Sequence, residues 1–174
     1  MAIPPTGGPY ATLPVGRHHA TFDEMYDVFV ENAPFRDERE VIFEALTLYA
    51  KIVANLCPGP ALWVNGGFVT HKTWAAPKDA DVAVVVPQAH YPNVCSNQMA
   101  WACITLQGVA VSSPSTGGGL IGRIQPMAGL IDGFLTSDEP AMSDVWDYQW
   151  SLVNDQNGNL LPHTTRKGYL EVTP

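Results

Sequence analysis

The sequence predicts a small α/β (α+β) domain, a mixed sheet flanked by helices. Two early stretches carry apolar residues at helical spacing, and several short apolar runs then alternate with helical patterns. No internal repeat or long linker divides the 174 residues, so the expected organisation is an N-terminal arm over 1–20 and one domain over 21–174.

Each element has a local reason. Residues 1–20 are rich in Pro and Gly and show no period. Thr21-Phe22-Asp23-Glu24 has the form of a capping box, a hydroxyl and a carboxylate three residues apart. Phe22, Met25, Phe29 and Val30 follow at helical spacing, and Pro34 ends the segment. A longer helix is expected over 37–56, where Val41, Ile42, Ala45, Leu46, Tyr49, Ile52, Val53 and Leu56 recur at three and four. Asp and Glu on the other faces of both helices read as solvated surface. CPGP at 57–60 breaks the helix. ALWVN at 61–65 reads as a short strand. ADVAVVV at 80–86 reads as a central strand covered on both faces, because no polar residue alternates after Asp81. A helix is expected over 93–107, packing through Val94, Met99, Trp101 and Ile104. Beyond it come a strand at 108–112, a loop at 113–119 and a strand at 127–135. A helix over 139–153 buries Val145, Trp146, Trp150 and Val153; a turn at 154–159 and an edge strand at 168–172 close the chain.

Composition narrows the function classes. With 46% apolar and 15% charged residues the chain is globular rather than disordered. No apolar run reaches the ~20 residues that span a bilayer. MAIPPTGGPY lacks the basic start and apolar block of a secretory signal, so a cytoplasmic protein is expected. A net charge of −8 speaks against non-specific binding to DNA, which needs clustered Lys and Arg. Cys57, Cys95 and Cys103 lack metal-type spacing and read as small apolar fillers.

The stretch 64–86, VNGGFVTHKTWAAPKDADVAVVV, poses a physical problem. Within a strand, Asp79 and Asp81 would share a face ~6–7 Å apart. At an effective dielectric near 20 the two charges would repel by roughly 2–3 kcal/mol. They therefore require partners, either Lys side chains such as Lys72 and Lys78 or a divalent cation. Mg²⁺ takes carboxylate oxygens together with water and phosphate oxygens. Gly66-Gly67, with no Cβ atoms, lets backbone amides approach a triphosphate, and a short helix starting near Phe68 would add free N–H groups.

Gly66-Gly67, eleven intervening residues and Asp79-Ala80-Asp81-Val82 resemble the defining pattern of the polymerase-β-like nucleotidyltransferase superfamily. LPVGRHHATFDEM (13–25), LWVNGGFVTHK (62–72), PKDADVAVVV (77–86) and KGYLEV (167–172) resemble a small prokaryotic and phage family of unknown function within it. The resemblance implies a nucleotidyltransferase-like mixed sheet flanked by helices. It implies that Asp79 and Asp81 hold Mg²⁺ (or Mn²⁺), that Gly66 and Gly67 face phosphate, and that Asp132 supplies a third carboxylate. Gly67 departs from the Ser usual at its position and so lacks a hydroxyl for phosphate.

The expected reaction moves a nucleoside monophosphate from an NTP to a hydroxyl acceptor: a protein side chain, a tRNA end or a small molecule. A toxin–antitoxin or phage–host conflict setting enters by analogy alone. Two other classes compete: an inactive nucleotidyltransferase fold acting through protein contacts, and a scaffold in which Lys72 and Lys78 neutralise the aspartates. Lys72 is a candidate phosphate contact or a solvated loop lysine. Arg123 reads as a surface arginine within reach of phosphate, His71 as an exposed histidine, and Trp101, Trp146 and Trp150 as core. Adjacent His18 and His19 are poorly placed to share a metal. Edge strands and apolar helix faces leave room for a homodimer.

Overall fold

Helices and strands alternate as the pattern requires. The computed structural model describes residues 3–106, 110–112 and 120–174, with the backbone alone at 110–112 and 120–123. Strand β1 (Gly16–His19) precedes α1 (Phe22–Tyr26), which continues as a π-helical turn, Asp27–Glu31. The capping box forms as expected: the Glu24 amide donates to Thr21 Oγ1 at 3.1 Å and the Thr21 amide to Glu24 Oε2 at 2.9 Å. Helix α2 (Arg36–Leu56) buries Ile42, Ala45, Leu46, Tyr49, Ala50 and Val53. Val41, expected in that stripe, is 52% exposed, because the buried arc is narrower than the apolar run.

Strands β2 (Ala61–Asn65) and β3 (Ala80–Val86) follow. The helix expected over 93–107 is two, α3 (Tyr91–Ser96) and α4 (Gln98–Ile104). The break falls at Asn97, whose side chain caps α4 by accepting from the amides of Met99 and Ala100. Trp101 is 39% exposed rather than core, its indole N–H donating to the Cys95 carbonyl. Strands β4 (Ala110–Ser112) and β5 (Leu120–Arg123) form a separate antiparallel pair. The loop expected at 113–119 and the Arg123 side chain lie outside the described residues. Strand β6 (Ile131–Ser137) starts later than the apolar run because Met127, Ala128 and Gly129 have φ of 53°, 57° and 92°, which extended pairing excludes. Helix α5 (Pro140–Trp150) and β7 (Gly168–Val172) complete the chain.

The five-stranded sheet runs β1-β7-β2-β3-β6. β1 pairs with β7 and β3 with β6 in parallel, whereas β2 is antiparallel to both its neighbours. The stretch read as an arm thus supplies an edge strand, and Thr12 also bridges to Thr70. One face packs Leu62, Val64, Val82, Val84, Leu170 and Val172 into the main core with α2 and α4. The other carries Trp63, Ala83, Val85 and Tyr169 against Trp150, with Trp146 and Phe134 alongside. These two layers leave β3 buried on both sides, as its sequence requires.

Candidate functional site

The end of the sheet where β2 leaves and β3 and β6 enter is polar. Registration sets Asn65 opposite Asp81 and Asp81 beside Asp132, three side chains in one row on the α5 side. Neighbouring strands lie about 5 Å apart, so the row is compact. Asn65 is 4% exposed; its Nδ2 donates to the Trp150 carbonyl at 3.0 Å, while its buried Oδ1 has no partner among the described residues. β3 begins at Ala80, so strand alternation does not orient Asp79. Asp79 instead lies within reach of Asp132: burial first, then the Asp132 charge, raises its carboxyl above the usual range, against a hydrogen bond from Gln125 and the charges of Lys78 and Lys72.

The glycine pair faces these carboxylates from the loop after β2. Gly66 has φ of 84°, and a Cβ there would overlap the Asp81 carboxylate. A Cβ on Gly67 would stand 3.0 Å from Lys72 Nζ. The absence of a side chain at Gly67 therefore makes room for an ammonium group where a serine hydroxyl would otherwise project. No helix starts at Phe68; Phe68 and Val69 turn into the core and the chain bridges to Thr12. The expected helical N–H groups are absent from the site for that reason.

Lys72 is partly buried, and burial together with the Arg39 charge lowers its pKa, with Asp79 opposing. It is therefore not a freely solvated loop lysine. A second ammonium, Lys167, enters beside Asp81. β7 runs antiparallel to β2, which brings the residue before β7 next to the loop after β2. Burial lowers the Lys167 pKa to about 8, with Asp81 opposing and Lys72 adding to the fall. Gly66, Gly67, Lys72, Asp81 and Lys167 border a cavity of about 400 Å³, a size typical of small-molecule sites. Asp79 and Asp132 do not line it.

Arg39 holds the loop in place. Its side chain is fully buried in α2, and its guanidinium donates to the carbonyls of Pro34, Phe29, Phe68 and Thr70 at 2.6, 3.1, 2.6 and 2.6 Å. Burial lowers its pKa to about 10. Thr70 Oγ1 donates to the Gly67 carbonyl at 2.8 Å, tightening the same turn. His71 is structural rather than exposed: Nε2 donates to the Val28 carbonyl at 2.8 Å, leaving Nδ1 to accept from Thr6 Oγ1 at 3.0 Å. His18 and His19 point to different partners, the Pro14 carbonyl and Glu171. Cys57 is buried, whereas Cys95 and Cys103 are only partly so.

Sequence reasoning singled out Asp79, Asp81, Asp132, Gly66, Gly67 and Lys72. It missed Asn65, Arg39 and Lys167, whose positions follow only from strand register and from carbonyls distant in the chain. The donors here are oxygens, carboxylates and one unmatched amide carbonyl, which suit a hard cation such as Mg²⁺. Among the described residues no three His, Cys, Asp or Glu side chains already stand at metal-ligand spacing.

The sequence profile of a family of unknown function, DUF6932, matches residues 5–173, from before the cavity's first wall residue to beyond Lys167. The chain belongs to the DUF6932 family. That match covers β1 through β7 and carries no assigned chemistry, and nothing in it links the chain to the nucleotidyltransferase superfamily. No curated protein and no solved structure gives a significant match. Among the described residues no helix is long and apolar enough to cross a membrane.

Proposed function

We propose that this DUF6932 chain is a divalent-cation-dependent nucleotidyltransferase that moves a nucleoside monophosphate from an NTP to a hydroxyl acceptor on a protein, a tRNA or a small molecule. The observation that carries the reading is the cavity itself, where two ammonium groups and a glycine turn surround Asp81, whose strand neighbour in register is Asp132. Asp79, Asp81 and Asp132 would hold Mg²⁺, with the Asn65 carbonyl available to the cation or to its water. The ion would supply charge neutralisation at phosphate oxygens and acidify the acceptor hydroxyl.

The chain's own residues do the remaining work. Lys72 and Lys167 balance phosphate charge, and the Gly66-Gly67 turn admits phosphate to backbone range. The acceptor oxygen bonds to the α-phosphorus, the bond to the β-phosphate bridge breaks, and pyrophosphate leaves. The acceptor's proton passes to Asp132. A second reading, a binding module without transfer, draws on Lys167, which already balances Asp81 from within the fold.

Calorimetry with Mg²⁺ or Mn²⁺ and each NTP, alongside labelled-NTP incubation with cell extract, separates the two. The expected result is binding plus label transfer, with Asp79→Asn lowering transfer at least about 100-fold. Unchanged binding and transfer in Asp79→Asn would remove the enzymatic reading. Binding without transfer in the parent chain would select the binding module.

A further inference from the structure

The cavity does not end at the lysines. Tyr10, Trp74, Asp155 and Gln156 also line it, and the same four residues wall an adjoining cavity of about 320 Å³. Gly66, Gly67, Lys72, Asp81 and Lys167 take no part in that second wall. The site therefore has a cationic end and an aromatic, amide-bearing end.

The aromatic end is not explained by packing. Trp150 and Trp63 are buried, yet Trp74 is 41% exposed on an irregular segment between β2 and β3. Its contact with Tyr10 is edge-on, with centroids 6.5 Å apart and planes at 85°. An edge-on contact covers at most one face of the indole, so a planar group can lie on another. Asp155 is committed to its own turn, accepting from the amides of Asn157 and Asn159 at 2.8 and 2.9 Å and from Asn159 Nδ2 at 3.1 Å. A fixed carboxylate there repels phosphate and favours a neutral group. The exposed carboxamides of Asn154 and Gln156 can both donate and accept.

We infer that the Tyr10–Trp74 end of the cavity is a nucleobase subsite: the base stacks on Trp74, its polar edge turns to Asn154 and Gln156, and its phosphates run toward Lys72 and Lys167. This rests on the nucleotide reading above and sharpens it, since it says which residues take the base of the NTP and which take its phosphates. It also gives the first dozen residues a role in recognition, because Tyr10 and Thr12 form a wall of the cavity.

The test is calorimetry in Mg²⁺ with each NTP and with inorganic tripolyphosphate, on the parent chain, Trp74→Ala and Trp74→Phe. Base–aromatic stacking predicts a loss of about 10- to 100-fold in NTP affinity for Trp74→Ala. Tripolyphosphate affinity should not change, and Trp74→Phe should recover most of the loss. Only a small change in melting temperature is expected, since Trp74 is 41% exposed and its ring contact is the edge-on one with Tyr10. Equal affinities for NTP and tripolyphosphate, or a Trp74→Ala effect that is nil or the same on both, overturns the base subsite while leaving the phosphate site standing. No binding of either ligand overturns the nucleotide reading itself, and the subsite falls with it.

Discussion

The two faces of the sheet bury the same strands and are finished in opposite ways. Beneath α2 the face is aliphatic, and the charged side chain buried there, Arg39, has its guanidinium matched by four carbonyls. Beneath α5 the face is aromatic and passes at one end into Asn65, Asp81 and Asp132, with Lys167 beside them and an open cavity in front. A buried charge bonded to backbone carbonyls through four of its five N–H groups is architecture, because the fold itself supplies its partners. Charges of both signs grouped at a cavity, beside an amide oxygen with no partner among the described residues, are the pattern that the proposed function draws on.

The sharpest way to break that comparison is at Arg39. Arg39→Met leaves four carbonyls without their donor and should cost about 3–5 kcal/mol. Urea unfolding at pH 7 measures it, and a loss below about 1 kcal/mol would mean that water or rearrangement serves those carbonyls equally well. Arg39→Lys should recover only a fraction, since one ammonium cannot span the four acceptors.

The next largest effect concerns Gly66. Gly66 and Gly158 share a φ of 84°, but a Cβ at Gly158 meets open space whereas one at Gly66 meets Asp81. Gly158→Ala should therefore cost about 1 kcal/mol of backbone strain, and Gly66→Ala about 2 kcal/mol or more. The same unfolding curves give both numbers; equal losses would mean that Asp81 swings aside without cost.

The smallest effect is a slope. Lys167 has a pKa near 8 in the folded chain and the ordinary value near 10.5 when unfolded, so between these the unfolded chain binds more protons. This group alone makes stability rise with pH across that window, the burial penalty of the ammonium being fully present below about pH 8. Cys57, pushed up to about 11 by burial, works in the opposite direction. The difference between the parent chain and Lys167→Met isolates the lysine: the parent should gain on the variant from pH 8 to 10. Lys167 is half-buried in the cavity wall, and parallel curves would mean that solvent in the cavity offsets its burial completely.

Much of this was legible in the residues themselves. The capping box, the strands at 61–65, 80–86 and 168–172 and the span of the long helix follow from local periodicity and side-chain reach, and they recur in the fold. Asp81 and Asp132 could be suspected from their isolation in apolar strands, but their adjacency depends on the parallel register of β3 and β6. Arg39 was invisible because the carbonyls of Phe68 and Thr70 lie some 30 residues further along the chain. Lys167 stood within a quoted stretch, yet nothing local distinguishes it from a surface lysine; only the β2–β7 pairing brings it to Asp81. GRHH at 16–19 carries no strand signature, and its pairing with β7 makes it one.

That last pairing joins segments about 150 residues apart. During synthesis β1 lacks its β7 partner until residues 168–172 have emerged, and closing so long a loop carries an entropy cost that slows this pairing. Lys167 arrives on the same late segment, so a nascent chain carries its aspartates and glycines long before it carries the ammonium that offsets them. The pocket is complete only when a segment from each end of the described fold has met the glycines and aspartates between them.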